Sequence, residues 1–272
     1  MDELIDRALA EDIGDGDLTG VAVVPADALA RGRIEQKQAG VIAGLAVAEG
    51  VFRRMDQSLH WTPRAEEADW RDGGAVAEVA GHARSILAAE RVALNFLGRL
   101  SGIATLTARF VRAVEGTGVA ILDTRKTTPG QRGLEKRAVL AGGGRNHRFG
   151  LFDAMLVKEN HARMAGGVGE AARRALRGAP PGIAVEVECA GLDEVRQAVE
   201  AGAARLLLDN MTPGELREAV RLAGGVAELE ASGGITLENV REVAETGVDY
   251  ISVGALTHSA PALDLSLQLE PL

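Results

Sequence analysis

The sequence is poor in cross-linking residues and has no long apolar run. Its 272 residues include one cysteine, Cys189, which excludes an intrachain disulfide and any zinc or iron–sulfur site with several cysteine ligands. The longest uncharged apolar stretch, Ala39 to Ala48, is about half the length that a membrane-spanning helix needs. Three of the first six residues are acidic and none is basic, which argues against a signal or transit peptide. We therefore expect a cytoplasmic protein with no membrane partner.

Basic residues and aromatic residues are also scarce. The chain has 30 Lys and Arg against 39 Asp and Glu, a net charge of -9. Because broad binding of nucleic acid needs a basic face, we expect no nucleic-acid partner. Aromatic residues make up 3% of the chain and hydrophobic residues 46%, so the core must be built mainly from Ala, Val, Leu and Ile.

One segment departs from this acidic background. Between Asp123 and Arg163 the chain carries nine basic and four acidic residues, a local charge of +5. A cationic pocket in an acidic protein predicts a small anionic ligand, whereas the alternative is a solvated basic helix face. The glycines and histidines interleaved in this segment favour the ligand site.

The second half of the chain alternates short apolar runs with amphipathic helical patterns, such as Leu192–Val199 and Thr212–Val220. Six runs are predicted to be buried parallel strands: Val119–Leu122, Ala154–Val157, Ile183–Val187, Arg205–Leu208, Ala227–Leu229 and Tyr250–Val253. This rhythm is typical of βα units. We predict a β/α barrel over residues 105–258, incomplete because it has fewer units than a full barrel.

The first hundred residues lack this rhythm and predict a separate α+β domain over residues 1–104. Two strands and one helix are predicted there: Arg33–Lys37, Val76–Val79 and Leu87–Leu100. The polar stretch Trp61–Ala75 is expected to be rich in loops, and the domain boundary is expected near Gly102–Thr105. We expect the C-terminal tail, residues 259–272, to return to this first domain.

Polar or glycine residues follow every predicted strand of the barrel. In a β/α barrel the carboxyl ends of the strands carry the catalytic groups, so six such ends in register predict a functional mouth. The residues at these ends are Thr124, Arg125, Lys126, Lys158, Glu188, Asp209, Ser232, Gly233, Gly234 and Gly254.

The residue types at the mouth suit a ligand that bears both carboxylates and phosphates. Arg125 can grip a carboxylate or phosphate with two parallel bonds, and Lys126 acts as a point charge. Glu188 and Asp209 could hold ribose hydroxyls, Mg²⁺ or both, or else form local salt bridges. The glycine turn before a helix that we expect near Thr236 would suit a phosphate, although it could be a plain tight turn.

Three other features complete the interpretation. Gly142–Gly144 is too rich in glycine for a helix interior and is expected to form a mobile or tight loop that delivers His147 and Arg148. The glycines of Gly14–Gly20 do not have dinucleotide-loop spacing, and two aspartates there would repel a phosphate. Cys189 is expected to pack as a small apolar residue.

Taken together, the chain resembles the quinolinate phosphoribosyltransferase family nearly from end to end. The resemblance is carried by Glu11–Thr19, Glu90–Leu97, Asp123–Gly130, Leu134–Lys136, Gly142–Arg148, Lys158–His161, Glu186–Glu188, Leu208–Met211, Glu230–Ile235 and Gly254–Ser259. It implies a fold with an N-terminal α+β sandwich domain and an incomplete β/α barrel. It also implies conversion of quinolinate and phosphoribosyl pyrophosphate to nicotinate mononucleotide, pyrophosphate and CO₂, with Mg²⁺, in NAD biosynthesis.

The resemblance also implies roles for individual residues. The carboxylates of quinolinate would be surrounded by Arg125, His147, Arg148 and Lys126, joined by Arg91 from a neighbouring subunit of a homodimer or dimer-based oligomer. The phosphoribosyl group would be contacted by Lys126 and Lys158 at the pyrophosphate, and by Glu188 and Asp209 at the ribose and metal. The 5′-phosphate would be held by Ser232, Gly233, Gly234, Val253, Gly254 and Ala255, with His258 nearby. Thr124 is included among the substrate-binding residues, and the catalytic residues would be Lys126, Lys158, Glu188 and Asp209.

Two other functions are alternatives to this one. The first is the molybdenum-transport-associated relative of the family, which would act on a different aromatic acid; Asn146–Arg148 and Leu134–Lys136 count against it. The second is a non-catalytic barrel that binds phosphate ligands or partners. The presence of Lys126, Lys158 and the two strand-end acids counts against that function.

Overall fold

The computed structural model describes all residues from 1 to 272, which form two compact units. The first unit comprises Met1–Ala108, Thr128–Gly143 and Ser259–Leu272, and the second comprises Arg109–Thr127 and Gly144–His258. None of the helices combines the length and apolarity needed to cross a membrane.

The chain up to the first barrel strand contains four helices and five strands. In chain order they are α1 (Asp2–Ile13), α2 (Leu18–Val23), β1 (Leu29–Gln36), β2 (Gly40–Val41), α3 (Leu45–Met55), β3 (His60–Pro63), β4 (Trp70–Arg71), β5 (Gly74–His82) and α4 (Ala83–Ala113). The rest of the chain contains β6 (Ala120–Leu122), α5 (Arg132–Ala141), β7 (Met155–Val157), α6 (Glu159–Ala165), α7 (Val168–Gly178), β8 (Val185–Cys189), α8 (Leu192–Glu200), β9 (Arg205–Asp209), α9 (Pro213–Ala223), β10 (Glu228–Ser232), α10 (Val240–Ala244), β11 (Tyr250–Ser252), α11 (Ala255–His258) and β12 (Leu265–Pro271).

The first unit is built on a four-stranded antiparallel sheet in the order β12-β1-β5-β3. In β1, buried residues alternate with more exposed ones, because successive side chains of a strand point to opposite faces. Ile34 of β1 and Ile86 and Leu97 of α4 are among the largest fully buried side chains. The tail strand β12 pairs with β1 in antiparallel register from Gln36↔Leu265 to Ala30↔Pro271.

Helix α4 is longer than the sequence pattern predicted. It runs without a break from Ala83 to Ala113, through the region where we expected a domain boundary. Gly102 does not end the helix but allows the chain at Pro261 to pack closely against it, because a Cβ at this position would overlap the carbonyl oxygen of Pro261. The segment preceding β12 therefore passes directly over α4.

The expectation of a loop-rich stretch at Trp61–Ala75 was partly wrong. Strand β3 includes the first three residues of this stretch. Strand β4 also lies within the stretch and pairs with β2, which precedes it in the chain. Trp61 is buried, and its ring lies 5.6 Å from the ring of Phe52. One buried aromatic in a polar sequence gives no clear alternation, so the strand escapes a pattern-based prediction.

The second unit contains all six predicted barrel strands, now seen as one parallel sheet in the order β6-β11-β10-β9-β8-β7. This sheet is the incomplete barrel that the sequence predicted. Several boundaries were wrong. Strand β8 extends to Cys189 and β9 to Asp209, so Glu188 and Asp209 lie inside strands and not after them. Strand β10 extends to Ser232, so Glu230 also lies inside a strand, and the next helix begins at Val240 and not near Thr236. Between β10 and α10 the chain forms turns, in which Asn239 accepts a hydrogen bond from the Thr236 N–H.

Candidate active site

A cavity of about 370 Å³ is formed by the second unit at the carboxyl ends of its strands. Nine of its lining residues were predicted from the sequence: Thr124, Arg125, Lys126, His147, Arg148, Lys158, Glu188, Asp209 and Ser232. Four others were not assigned to the site: Leu156, Leu207, Glu230 and Ser252. The predicted residues outside this lining are Arg91, Gly233, Gly234, Val253, Gly254, Ala255 and His258. Arg91 is exposed and lies on α4 in the first unit.

Hydrogen bonds fix the loop that carries Arg125 and Lys126. The backbone N–H of Lys126 donates to the Thr124 hydroxyl at 3.1 Å, and the Thr257 hydroxyl donates to the carbonyl of Lys126 at 2.8 Å. A Cβ on Gly254 would lie 3.3 Å from the Lys126 side chain and 3.2 Å from Nε2 of His258. The loop after β6 and the turn after β11 therefore meet at Lys126.

The segment that follows the glycine triplet is held against strand β6. Arg145 donates its N–H to the carbonyl of Ile121 at 2.8 Å, and the N–H of His147 donates to Oδ1 of the fully buried Asp123 at 2.8 Å. The expected loop is thus pinned to the edge of the sheet, and this places His147 and Arg148 in the cavity wall.

Two guanidinium groups give the cavity a cationic side. Burial, and then the charge of Arg125, lower the pKa of Arg148, although Asp153 and Glu186 act in the opposite direction. Both arginines line the same cavity, so their positive charges face one enclosed space. A ligand with two negative charges would neutralise both.

An acidic side faces the cavity from the ends of β8 and β9. The Lys158 ammonium donates to Oε2 of Glu188 at 2.8 Å, and the Glu159 N–H donates to its Oε1 at 3.3 Å. Asp209 accepts a hydrogen bond from the Asn210 amide at 2.8 Å. Carboxylates and an ammonium group at one mouth can bind hydroxyls and phosphates together.

In the wall of the cavity His147 belongs to a largely buried ion cluster, whose other members, Glu186, Arg205 and Glu230, were not predicted from the sequence as site residues. Arg205 donates to Glu186 at 3.0 Å and to Glu230 at 2.7 Å. Burial acts to raise the pKa of Glu186, but His147 and Arg205 outweigh it and the pKa is lowered. Burial, followed by the charge of Glu186, raises the pKa of Glu230.

The sequence did carry a signal for this cluster. Glu186 and Glu188 are two residues apart in β8, as are Glu228 and Glu230 in β10, so each pair shares one face of its strand. Because the predicted strand ends at Leu229, the prediction places Glu230 in a loop, and the shared face of Glu228 and Glu230 is missed.

Comparison with known proteins agrees with this geometry. Residues 17–101 match the family model for the quinolinate phosphoribosyl transferase N-terminal domain, and residues 103–268 match the model for its C-terminal domain. A probable nicotinate-nucleotide pyrophosphorylase (carboxylating) of Bacillus subtilis is 40% identical over 99% of this chain and 93% of its own.

Solved structures show the same similarity. NadC from Streptococcus pyogenes superposes with a TM-score of 0.95 at 39% identity, covering 100% of this chain and 96% of the other. The nicotinate-nucleotide pyrophosphorylase from Francisella tularensis superposes with a TM-score of 0.94 at 40% identity, covering 98% and 95%. The chain belongs to the quinolinate phosphoribosyltransferase family.

Proposed function

We propose that this enzyme transfers the phosphoribosyl group of phosphoribosyl pyrophosphate to quinolinate with decarboxylation. The products are nicotinate mononucleotide, pyrophosphate and CO₂, and the reaction belongs to de novo NAD biosynthesis. The observation that carries the proposal is one cavity with two arginines on one side and the Lys158–Glu188 pair on another. Family membership supports the same reaction.

The cationic side is the site for quinolinate. Its two carboxylates are bound by Arg125 and Arg148, since guanidinium groups bind carboxylates with two parallel hydrogen bonds. Lys126 lies on the same loop as Arg125, and His147 adjoins Arg148 in the wall. Arg91 completes this side from a neighbouring subunit of a homodimer, a proposal supported by its exposure on α4.

The acidic side and the neighbouring turns hold the phosphoribosyl group. Lys126 and Lys158 face the pyrophosphate, while Glu188 and Asp209 accept hydrogen bonds from the ribose hydroxyls. The 5′-phosphate is held by Ser232, Gly233, Gly234, Val253, Gly254 and Ala255, with His258 nearby. The close approach of Gly254 to Lys126 and His258 supports this arrangement.

The chemistry requires positioning and charge more than a protein nucleophile. Loss of pyrophosphate leaves an oxocarbenium-like ribose, which carboxylates stabilise, while cations stabilise the leaving group. The ring nitrogen of quinolinate attacks the anomeric carbon. The quaternised nitrogen then stabilises the carbanion left when the adjacent carboxylate departs as CO₂, and this carbon takes up a proton from water to give nicotinate mononucleotide. Holding the two substrates in reactive geometry is the main contribution of the protein.

Mg²⁺ is part of the proposal, and the donor set fits it in part. Glu188 and Asp209 offer the hard oxygen ligands that Mg²⁺ prefers, but Glu188 already accepts hydrogen bonds from Lys158 and Glu159. Two carboxylates do not make an all-protein cage, so the ion would be held largely through the substrate. When bound, Mg²⁺ supplies positive charge that neutralises the pyrophosphate.

The experiment is to supply the purified enzyme with phosphoribosyl pyrophosphate, Mg²⁺ and quinolinate labelled in the 2-carboxylate. Labelled CO₂ and unlabelled nicotinate mononucleotide should form in equal amounts. Omission of phosphoribosyl pyrophosphate should abolish the formation of both products. Absence of product from the folded protein would refute the proposal. A cytoplasmic location is also proposed, and cell fractionation tests it.

A further inference from the structure

The two nitrogens of the His147 ring have different surroundings. Nδ1 accepts a hydrogen bond from the backbone N–H of Arg148 at 2.7 Å. A ring nitrogen that accepts a hydrogen bond carries no proton, so a neutral ring must carry its proton on Nε2. This contact alone therefore selects one of the two neutral tautomers.

The Nε2 side of the ring faces two carboxylates. Nε2 lies 2.9 Å from Oε2 of Glu186 and 3.6 Å from Oε2 of Glu230. Glu186 is 4% exposed and does not line the cavity, whereas Glu230 does, so Glu186 cannot bind a ligand there directly. Its influence on the substrate must pass through the side chains that it contacts, His147 and Arg205.

These three side chains also have the ligand types of a metal site, with one imidazole nitrogen and two carboxylate oxygens within 4.8 Å of one another. Arg205, however, already binds both carboxylates and supplies their counter-charge. A divalent cation there would be repelled by this guanidinium. The cluster is better suited to hold a hydrogen-bond donor, which is the Nε2–H of His147.

We propose that Glu186 is a positioning residue that acts through His147 on Arg148. By favouring the Nε2–H tautomer, it leaves Nδ1 free to accept the Arg148 N–H, and this fixes the backbone from which the Arg148 side chain enters the cavity. The inference rests on the proposed function, in which Arg148 binds a carboxylate of quinolinate.

The opposite tautomer would disturb the wall of the cavity. A proton on Nδ1 would face the Arg148 N–H across 2.7 Å, so two donors would meet and the peptide would have to move. The Arg148 guanidinium is itself anchored by one nitrogen, which donates to the carbonyl of Ala154 at 3.2 Å. Small displacements of a substrate-binding group are costly in rate and affinity.

The kinetic test is Glu186→Gln. A glutamine side chain has one oxygen, so it cannot accept hydrogen bonds from His147 and Arg205 through two separate oxygens. One of these contacts is therefore lost, and the tautomer of His147 is no longer fixed. We expect the KM for quinolinate to rise about tenfold or more, while the KM for phosphoribosyl pyrophosphate changes less than about twofold. Glu170→Gln, which alters a surface carboxylate paired with Arg173 and Arg174, is the matched control and should change neither KM.

A double-mutant cycle separates positioning from a general loss of packing. If Glu186 acts through His147, then Glu186→Gln should change the quinolinate KM little in a His147→Asn background. Additive effects of the two substitutions would overturn the proposal. If the wild type makes nicotinate mononucleotide, an unchanged KM for quinolinate in a folded Glu186→Gln enzyme would also overturn the proposal.

A spectroscopic test does not depend on activity. Nitrogen-15 NMR of the wild-type imidazole rings, with the signal of His147 assigned by its loss in His147→Asn, should show the neutral Nε2–H tautomer near pH 7.5. A Nδ1–H tautomer or a doubly protonated ring would overturn the inference, even if the glutamine variant did not fold. Failure of the wild type to turn over quinolinate would refute the proposed function and leave this measurement intact.

Discussion

Removal of the Lys158 ammonium should lower the activity of the enzyme strongly and its stability only slightly. The Lys158 side chain is 50% exposed and that of Glu188 is 14% exposed, with 2.8 Å between Nζ and Oε2. Ion pairs of this exposure contribute about 0.2–1 kcal/mol to folding, which is about 1–4 °C in Tm for a chain of this size. If Lys158 faces the pyrophosphate, its loss should instead lower kcat by about 100-fold, or about 2.7 kcal/mol in the barrier.

The assay compares Lys158→Ala with the wild type in steady-state turnover of quinolinate and in thermal unfolding. Arg174→Ala is the matched control, because it breaks an exposed ion pair of the second unit that has a similar length, 2.7 Å between Nε and Oε1 of Glu170. The control should lose a similar small amount of stability and keep its activity. A folded Lys158→Ala enzyme within a few-fold of wild-type kcat would refute the reasoning, as would a stability loss large enough to explain the lost activity.

Four further predictions follow from the structure and the family. Lys126→Ala should lower turnover by about 100-fold with the fold intact, and a folded variant within a few-fold of wild type contradicts its assignment. Co-expressed Arg91→Ala and Lys126→Ala chains, each nearly inactive alone, should form a heterodimer with about half of wild-type activity, because one of its two sites is complete; no rescue in the purified heterodimer rejects a shared site. Burial and the charge of Glu186 raise the pKa of Glu230, so the contribution of Glu230 to stability falls as pH rises through its folded-state pKa. The Tm of Glu230→Gln minus the Tm of the wild type should therefore increase from about pH 5 to about pH 8. A decrease in this difference contradicts the prediction. Burial raises the pKa of Cys189 to about 12, so iodoacetamide near pH 8 should label this thiol after denaturation only, and labelling of the native protein, seen by mass spectrometry, contradicts this.

The barrel strands could be predicted from the sequence because each one is buried on both faces. A continuous apolar run such as Leu206–Leu208 can be recognised without knowing its neighbours in the sheet, and the polar residues Asp209 and Asn210 mark its end. The strand ends then bring distant residues together, since carboxyl ends of parallel strands meet at one edge. Lys158, Glu188 and Asp209 lie at one cavity for this reason.

Other parts of the fold depend on contacts that a local pattern does not contain. The uninterrupted course of α4 past Gly102 is explained by the Pro261 carbonyl, which is distant in sequence. The buried ion cluster is similar, because Glu186 and Glu230 are stable in the core only with Arg205 between them. A sequence shows the charges but does not show which of them pair.

The measurement that tests the account most directly is the ratio of kcat/KM for quinolinate to kcat/KM for nicotinate, which lacks the second carboxylate. Because Arg125 and Arg148 line the same cavity, we expect this cavity to bind a dianion. Loss of one charge-assisted contact corresponds to about 1.5–3 kcal/mol, so the ratio should exceed about tenfold and approach about 100-fold. Equal turnover of nicotinate and quinolinate would contradict the account.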